Sequence, residues 1–211
     1  MQARYYQRDA VEAVWALLLK GVNGLLAVLP TGAGKSLVIA LLVKRARQHG
    51  GRVLILAHRK ELLSQNAAAL SGQIEETVGI FSAGLRRKEP EPDIVVAGIQ
   101  SAHGKAEQFG VRHLIIIDEA HLINTRDEGI YRQFIADLLL IYPDAKIVGL
   151  TATPFRLGVG PITGPDKLFR RIAYEAPVGR LIDEGYLCKL TTTATSSIDT
   201  CLLYTSDAAD E

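Results

Sequence analysis

The stretch LPTGAGKS, residues 29–36, decides the fold of this chain. It ends like the phosphate-binding pattern G-x-x-x-x-G-K-[ST], but Leu29 stands where that pattern begins with glycine. The two glycines would let the chain turn tightly, so that backbone N–H groups converge on a phosphate. The lysine would then reach the β- and γ-phosphates of a nucleotide, and the serine hydroxyl would bind Mg²⁺. The candidate phosphate site therefore consists of Thr31, Gly32, Ala33, Gly34, Lys35 and Ser36.

The sequence on either side of this loop supplies its structural context. The run GLLAVLP before it indicates a buried strand, in which the side chain of Leu29 can pack away from a ligand. The segment KSLVIALLVKRARQ after it has apolar residues at helical spacing, which would place a phosphate on a helix N-terminus. A strand, a glycine turn and a helix in this order favour a nucleotide site. The alternative is a glycine-rich turn that merely joins a strand to a helix.

Short apolar runs recur along the chain, separated by helical patterns. Runs rich in Val, Ile and Leu without polar alternation are typical of parallel strands buried on both faces. The sequence thus predicts a three-layer α/β fold in which a mainly parallel sheet carries helices on both faces. The predicted strands are GLLAVL, RVLILA, DIVVAG, HLIIID and KIVGLT, with others near TVGIF and at CKLTTTAT. The predicted helices include HRKELLSQNAAALSG, RDEGIYRQFIADLLLIYPD and PVGRLIDEGYL, whereas FRLGVGPITGPDK indicates a loop.

An acidic pair, Asp118 and Glu119, directly follows the apolar run LIII. Ligands of such folds bind at the carboxyl ends of the strands. A carboxylate placed there, near a phosphate loop, can hold Mg²⁺, which makes Asp118 the candidate metal ligand beside Ser36. Glu119 could accept a proton from an attacking water, so Lys35 and Glu119 are the candidate catalytic residues. The alternative is a pair of acids that caps a helix.

Length and composition restrict the class of protein. A chain of 211 residues with 48% hydrophobic residues can bury a substantial core and suggests one domain, with room for part of a second. No segment reaches the roughly 18 uninterrupted apolar residues of a membrane span, and the N-terminus does not resemble a signal peptide. We therefore expect a cytoplasmic protein without a membrane partner. Cys188 and Cys201 have no metal or redox spacing, so neither is expected to be functional.

The last eleven residues, Cys201–Glu211, share no periodicity with the sequence before them. They resemble the translation of a sequencing-library adapter, which predicts a non-native tail on a natural chain cut near Thr200. The alternative is an ordinary disordered tail. The tail contains three acidic and no basic residues, so without it 24 basic residues face 20 acidic ones, a net charge of +4 instead of +1. Such a mildly basic chain permits a nucleic-acid partner but does not by itself indicate one.

The motifs together resemble those of the superfamily 2 helicases. LPTGAGKS is similar to their motif I, DEAH to motif II and TATP to motif III. The order and spacing are similar to those of the first RecA-like domain of that superfamily, over nearly all of residues 1–200. The resemblance implies a RecA-like P-loop NTPase domain with ATP and Mg²⁺ as cofactors. It also implies that His121 forms hydrogen bonds toward Thr151 and Thr153, which would couple the γ-phosphate to the nucleic-acid side.

The N-terminal segment ARYYQRDAV resembles an LRPYQ element of one branch of that superfamily. In that element the glutamine, here Gln7, reads the adenine edge, and an amide has the acceptor and the donors that adenine requires. Arg4 would stack on the adenine ring, although Tyr5 stands where the element usually has proline. The alternative is that this segment is only the start of an amphipathic helix.

Two segments resemble elements that contact the phosphodiester backbone in this superfamily. LAHRKELLSQ is similar to motif Ia, and VAGIQSA to the element after motif Ib. Backbone contacts of this kind would give affinity without base preference. The alternative for the basic pair in the first segment is a solvated helix face. A nearby basic trio could flank the bound nucleic-acid backbone, and the alternative for this trio is an exposed loop. The implied contacts are Arg59, Lys60, Gln100 and Ser101, and the trio is Arg86, Arg87 and Lys88.

Over its whole length the chain resembles RadD-type bacterial DNA-repair helicases, through SAGL, GLTATPFRLG, GPDKLF and LIDEGYL among other stretches. The resemblance implies single-stranded or forked DNA rather than RNA, and DNA-repair proteins as partners. Nothing after Thr153 resembles a second RecA-like domain, whose arginine finger is worth about 10³ to 10⁵ in rate in comparable sites. We therefore expect a truncated motor that binds Mg²⁺-ATP weakly and hydrolyses it poorly. The alternatives are a motor subunit of a restriction system and an ATP-gated nucleic-acid clamp without turnover, and the retention of Lys35 and Glu119 disfavours the clamp.

Overall fold

A computed structural model describes residues 3–123, 125–156, 158 and 160–188 of the chain. Eight of the strands within these residues form one sheet in the order β10-β1-β7-β6-β2-β5-β3-β4, and a separate hairpin joins β8 to β9. All neighbours in the large sheet are parallel except β3 and β4. The strands are β1 (Leu25–Val28), β2 (Val53–Ala57), β3 (Val78–Ser82), β4 (Arg87–Lys88), β5 (Ile94–Gly98), β6 (Leu114–Ile117), β7 (Lys146–Thr151), β8 (Phe155–Arg156), β9 (Gly160–Pro161) and β10 (Arg171–Glu175).

Helices cover both faces of the sheet. Side chains of α1, α2, α3 and α7 pack in one hydrophobic cluster, and side chains of α4, α5 and α6 pack in a second. None of the helices in the described part of the chain has both the length and the apolar character that crossing a bilayer requires. The helices are α1 (Tyr5–Leu19), α2 (Lys35–Gln48), α3 (Lys60–Ser71), α4 (Ile99–Ala102), α5 (Ala106–Phe109), α6 (Thr125–Ile141) and α7 (Val178–Asp183), with a 3₁₀ turn at Ala120–Leu122.

The apolar runs form strands because both of their faces are covered. In β1, Leu25 and Ala27 belong to the cluster under α1 and α2, whereas Leu26 and Val28 belong to the opposite cluster. Burial of one Leu or Ile side chain stabilises a fold by about 1.5–3 kcal/mol, so a strand that is apolar at every position is stable only between two layers. The prediction of a three-layer α/β fold with a mainly parallel sheet is confirmed.

Besides the short unpredicted elements β4, α4 and α5, the structure departs from the predicted elements in two places. The first is β10, which pairs in parallel with β1 at the sheet edge and which the apolar pattern does not reveal. Its sequence RIAYE has a charged residue at each end and is only half-buried, so it lacks the continuous apolar run of the inner strands. The second is the short hairpin of β8 and β9 within the predicted loop FRLGVGPITGPDK. The predicted strand CKLTTTAT lies, except for Cys188, outside the described residues, as does the tail Cys201–Glu211.

Candidate functional site

The carboxyl ends of five adjacent parallel strands form the edge that carries the site. The phosphate loop follows β1, Thr151 is the last residue of β7, and the acidic pair follows β6. Next in the sheet order, Arg59–Lys60 follows β2 and Gln100–Ser101 follows β5. The register aligns the ends, since Val28 of β1 lies opposite Thr151. The fold therefore places the predicted nucleotide residues at one end of this row and the predicted nucleic-acid residues at the other.

The phosphate loop has the backbone that its glycines allow. Gly32 and Gly34 both have φ of +81°, a left-handed conformation that other residues adopt only with strain. A Cβ on Gly34 would lie 2.5 Å from Nε2 of Gln7, so any other residue there would have to displace the Gln7 amide. The side chain of Leu29 is fully buried, and its N–H donates to the carbonyl of Thr151 at 2.8 Å. The leucine is thus accommodated in the core where the usual pattern has glycine.

Lys35, the first residue of α2, reaches across to the acidic pair. Its Nζ lies 3.2 Å from Oε1 of Glu119, and both side chains are largely shielded from solvent. Glu119 has φ of +48°, a left-handed conformation that costs a non-glycine residue about 1–2 kcal/mol. Its second oxygen, Oε2, is buried, lies 3.2 Å from Nδ1 of His121 and accepts no hydrogen bond from the described residues. An unpartnered buried oxygen of this kind is suited to accept a proton from a bound water.

Asp118 is buried at the end of β6 and is held by two donors. Nδ2 of Asn66 donates to its Oδ2 at 2.7 Å, and the N–H of Glu119 donates to its Oδ1 at 2.9 Å. Burial raises the pKa of Asp118 and Glu119 raises it further, whereas the two hydrogen bonds and Lys35 lower it, and burial prevails. A bound cation would reverse this balance, because it favours the ionised carboxylate.

A hydrogen-bonded chain joins the acidic pair to the end of β7. Nδ1 of His121 lies 3.0 Å from Oγ1 of Thr151, which donates to the carbonyl of Thr153 at 2.9 Å. Because the hydroxyl proton of Thr151 is used in that bond, Oγ1 pairs with His121 in the tautomer that carries a proton on Nδ1. Thr153 is thus connected to His121 through Thr151. In addition, the N–H of Thr153 donates to Oγ1 of Thr151 at 3.2 Å. The coupling role of the three residues stays a prediction.

The two residues predicted to contact adenine lie at the start of α1, beside the phosphate loop. Nε2 of Gln7 donates to the carbonyl of Ala33 at 2.8 Å, and its Oε1 accepts the N–H of Arg4 at 2.9 Å. Gln7 is buried, and Arg4 is exposed. A glutamine amide has two N–H groups and two carbonyl lone pairs, so each end of Gln7 retains one further hydrogen-bonding position. Adenine recognition by this pair stays a prediction.

The four predicted nucleic-acid residues follow β2 and β5. Arg59, Lys60 and Gln100 are exposed. Oγ of Ser101 accepts the N–H of Ala83 at 2.9 Å and can still donate its own proton. Of the predicted flanking trio, all of which is exposed, Arg87 is paired with Glu89 at 2.7 Å, which reduces its charge toward a phosphate. Binding of nucleic acid by these residues also stays a prediction.

The residues present fit a magnesium-nucleoside triphosphate. Phosphates would bind at the N-terminus of α2, which begins at Lys35, where backbone N–H groups and the Lys35 ammonium group are the donors. The hydroxyl of Ser36 and the carboxylate of Asp118 are hard oxygen ligands of the type that Mg²⁺ prefers. They are the chain neighbours of Lys35 and Glu119, whose side chains are in contact.

The family described as type III restriction enzyme, res subunit (ResIII), matches residues 1–156. The chain belongs to this family. Together with its helicase relatives, the match makes the chain a superfamily 2 helicase ATP-binding domain of the ResIII type.

Curated relatives of this ResIII domain include helicases and restriction enzymes. The ATP-dependent DNA helicase Hel308 of Pyrococcus horikoshii is 30% identical over 154 residues, which are 67% of this chain and 21% of that protein. The type I restriction enzyme EcoKI endonuclease subunit of Escherichia coli K12 is 33% identical over 178 residues, covering 72% of this chain and 15% of that protein. The chain thus spans about a fifth or less of the length of these relatives.

Solved structures share the fold of the ResIII domain. The UvsW helicase of bacteriophage T4 has a TM-score of 0.62 at 21% identity, over 82% of this chain and 60% of that one. The type ISP restriction-modification enzyme LlaGI, in complex with a DNA substrate mimic, has a TM-score of 0.64 at 17% identity, over 88% of this chain and 21% of that one. These similarities support the α/β architecture.

Sequence reasoning did not identify Asn66 as part of the site of this ResIII domain. A signal was present, because Leu63, Asn66, Ala67 and Leu70 follow the i, i+3, i+4, i+7 spacing of a buried helix face. A polar residue on such a face needs a hydrogen-bonding partner in the core. The sequence gives no indication that this partner is Asp118, which is 52 positions away.

Proposed function

We propose that this chain is the ATP-binding half of an ATP-dependent DNA helicase or translocase, in which ATP hydrolysis drives movement on DNA in the full-length protein. The observation that carries the proposal is the 3.2 Å contact between Lys35 and Glu119, formed where a glycine loop and an acidic strand end adjoin. These two residues have the roles of phosphate ligand and general base in this class of enzyme.

The Lys35–Glu119 pair supports a specific order of events. Without nucleotide, the ammonium group is next to the carboxylate that must act as base. When Lys35 turns to the β- and γ-phosphates, Glu119 loses this partner and can accept a proton from the attacking water. The unpartnered Oε2 of Glu119 supplies the acceptor. Ser36 and Asp118 would hold Mg²⁺, which neutralises charge on the phosphates and orients them.

The complete motor requires more than this chain. We propose that residues 1–200 form the first RecA-like domain, that residues 201–211 are non-native, and that a second RecA-like domain supplies the arginine finger. The length of the relatives supports this proposal, because the chain spans only 21% of Hel308. The chain alone should therefore bind Mg²⁺-ATP weakly and hydrolyse it poorly.

The proposed partner is single-stranded or forked DNA rather than RNA, in a cytoplasmic protein of RadD type that acts with DNA-repair proteins. Support for DNA comes from the relatives, since Hel308 is named a DNA helicase and LlaGI was solved with a DNA substrate mimic. The exposed side chains of Arg59, Lys60 and Gln100, at the other end of the row of strand ends from the phosphate loop, could contact a nucleic-acid backbone.

A motor subunit of a restriction system is the second candidate function. It is favoured by the family match itself and by the EcoKI endonuclease subunit among the relatives. Both candidates use the same ATP site and differ in the domains attached to it. Sequencing of the uninterrupted gene distinguishes them, because a nuclease module beside the motor indicates restriction.

The substitution Glu119→Gln in the full-length protein tests turnover. A motor should lose ATP hydrolysis by a factor of about 10² to 10⁴, the usual contribution of a general base, while it retains ATP-dependent DNA binding. An ATP-gated clamp without turnover should be little changed by the same substitution. Parallel measurement of phosphate release and of DNA affinity with ATP separates the two, and unchanged hydrolysis would contradict the proposed role of Glu119.

A further inference from the structure

The segment from Val178 to Leu187, which the chemistry above does not use, is docked against the start of α1. The hydroxyl of Tyr5 donates to Oε2 of Glu184 at 2.7 Å, and the guanidinium carbon of Arg180 lies 5.0 Å from the centre of the Tyr5 ring. The side chain of Leu181 is fully buried in the core. These contacts hold the segment beside the two residues predicted to contact adenine.

A defined turn ends α7 and fixes the next two side chains. Gly185 has φ of +73°, and its N–H donates to the carbonyl of Ile182 at 3.0 Å. The N–H of Tyr186 donates to the carbonyl of Leu181 at 2.8 Å. This pair of hydrogen bonds around a left-handed glycine is the Schellman motif, in which the backbone beyond the helix has one conformation.

The ring of Tyr186 forms a support for Arg4. It meets Tyr6 and Tyr5 edge to face, with ring centres 5.6 Å and 6.0 Å apart, which sets its orientation. The guanidinium carbon of Arg4 lies 4.9 Å from the centre of the Tyr186 ring, and Nη1 of Arg4 donates to the hydroxyl of Tyr6 at 3.0 Å. An arginine held on an aromatic ring and by a hydrogen bond loses less rotamer entropy when it stacks on a ligand.

The residue after Tyr186 extends this support toward the phosphates. Cδ2 of Leu187 lies 3.8 Å from the position that a Cβ on Gly32 would occupy. Tyr186 and Leu187 therefore span from Arg4 to the phosphate loop, along the side on which Gln7 contacts Ala33.

We propose that Tyr186 is a positioning residue that holds Arg4 for stacking on the base of a bound purine nucleoside triphosphate. Leu187 lines the nucleotide site between the base and the phosphates. This inference rests on the proposed function, because it requires a nucleotide at the phosphate loop. Beyond the proposed function, the inference states that recognition of the base depends on the segment after β10. This segment lies more than 170 residues along the chain from Arg4.

Two ligands test the inference on the 211-residue chain: Mg²⁺-ATP, which has a base, and magnesium tripolyphosphate, which has none. Affinities are measured by calorimetry for the unaltered chain and for Tyr186→Leu, Tyr186→Phe and Tyr142→Leu. Tyr142 is also a half-buried tyrosine, packed on His113 near the amino ends of β6 and β7, away from the phosphate loop. Tyr186→Leu should bind ATP about tenfold more weakly and tripolyphosphate unchanged, the loss expected for one base-stacking contact. Two control variants should retain the affinity of the unaltered chain for both ligands. They are Tyr186→Phe, which keeps the aromatic ring, and Tyr142→Leu.

The remaining outcomes show whether the role of Tyr186 or the proposed function is wrong. If folded Tyr186→Leu keeps the full preference for ATP over tripolyphosphate, the role of Tyr186 is overturned while the proposed function stands. If circular dichroism shows that Tyr186→Leu does not fold, Arg4→Met replaces it and must show the same selective loss of ATP affinity. An unchanged preference in Arg4→Met overturns the inference as well. If the unaltered chain binds neither ligand, the proposed function itself fails.

Discussion

The carboxylate of Asp118 is almost completely buried, and burial raises its pKa above the ordinary value. In the pH range just above the ordinary pKa, the folded protein therefore retains a proton that the unfolded chain has released. The contribution to stability is present at low pH and is lost as the pH rises through the raised pKa. Above the raised pKa and without metal, the ionised Asp118 destabilises the fold relative to its protonated form.

The first prediction concerns the substitution Asp118→Asn. Without Mg²⁺ and above the raised pKa of Asp118, the melting temperature should rise relative to the unaltered chain, because no charge is buried, and the difference should shrink as the pH falls through that pKa. Mg²⁺-dependent nucleotide binding should be lost at the same time. Differential scanning calorimetry across pH checks this, with the exposed Asp144→Asn as control. Equal melting temperatures of Asp118→Asn and the unaltered chain at all pH values would contradict it.

The second prediction concerns Asn66, whose side-chain amide donates to Asp118 from α3. Asn66→Leu keeps the branched shape of the side chain, with a larger volume, and leaves one oxygen of a buried carboxylate without its donor. The free energy of unfolding should fall by about 1–3 kcal/mol, and more Mg²⁺ should be needed for nucleotide binding. Urea unfolding and Mg²⁺ titrations measure the two effects. Gln65→Leu, at the adjacent exposed position, should change unfolding by only about 0.5 kcal/mol, and an effect as large as that of Asn66→Leu would argue against the specific role.

At the scale of elements, the phosphate loop and α1 are in direct contact through Gly34, Ala33 and Gln7. A Cβ on Gly34 would lie 2.5 Å from Nε2 of Gln7, and that Nε2 donates to the carbonyl of Ala33. The loop thus depends on α1 for its shape, and α1 depends on the glycine for the position of Gln7.

The third prediction compares Gly34→Ala with Gly50→Ala. Both glycines have positive φ, +81° and +69°, so alanine is strained at either position. No atom lies within 4 Å of a Cβ on Gly50, at the far end of α2, so that variant should lose only about 1 kcal/mol. Gly34→Ala should lose more and should also lose binding of tripolyphosphate, as measured by thermal unfolding and calorimetry. Equal effects of the two substitutions would show that the contact with Gln7 is unimportant.

At the scale of the whole molecule, the nucleotide residues lie at the carboxyl ends of strands that belong to a single sheet. Nothing in the described residues faces the phosphate loop from a second RecA-like domain. In the proposed motor, hydrolysis requires such a domain to bring an arginine to the phosphates.

The fourth prediction therefore compares this chain with a longer protein that contains both RecA-like domains. A natural protein that extends this chain by a second RecA-like domain should hydrolyse ATP about 10³ times faster or more. Its affinity for tripolyphosphate should change much less, because the phosphate loop is already formed. Steady-state kinetics on both proteins checks this, with Glu119→Gln in each as the control for background hydrolysis. Equal rates in the two proteins would show that the first domain alone contains the complete catalytic site.

Much of the fold could be predicted from local patterns. The inner strands are apolar at every position, and a strand of this kind is stable only between two layers, so the three-layer arrangement followed from the sequence. The apolar pattern does not reveal β10, because an edge strand whose side chains are only half-buried does not need a continuous apolar run. Its pairing with β1 is decided by contacts that no local pattern contains.

The sequence by itself determined the phosphate loop, the acidic pair and the α/β fold, because glycine, lysine and carboxylate act through local backbone geometry and short apolar runs. Only the tertiary structure decided which residues support them. Asn66 contacts Asp118 across 52 positions, and Tyr186 lies under the guanidinium of Arg4. Such contacts depend on strand order and helix packing, and those are set by burial of the whole core rather than by the neighbours of any one residue.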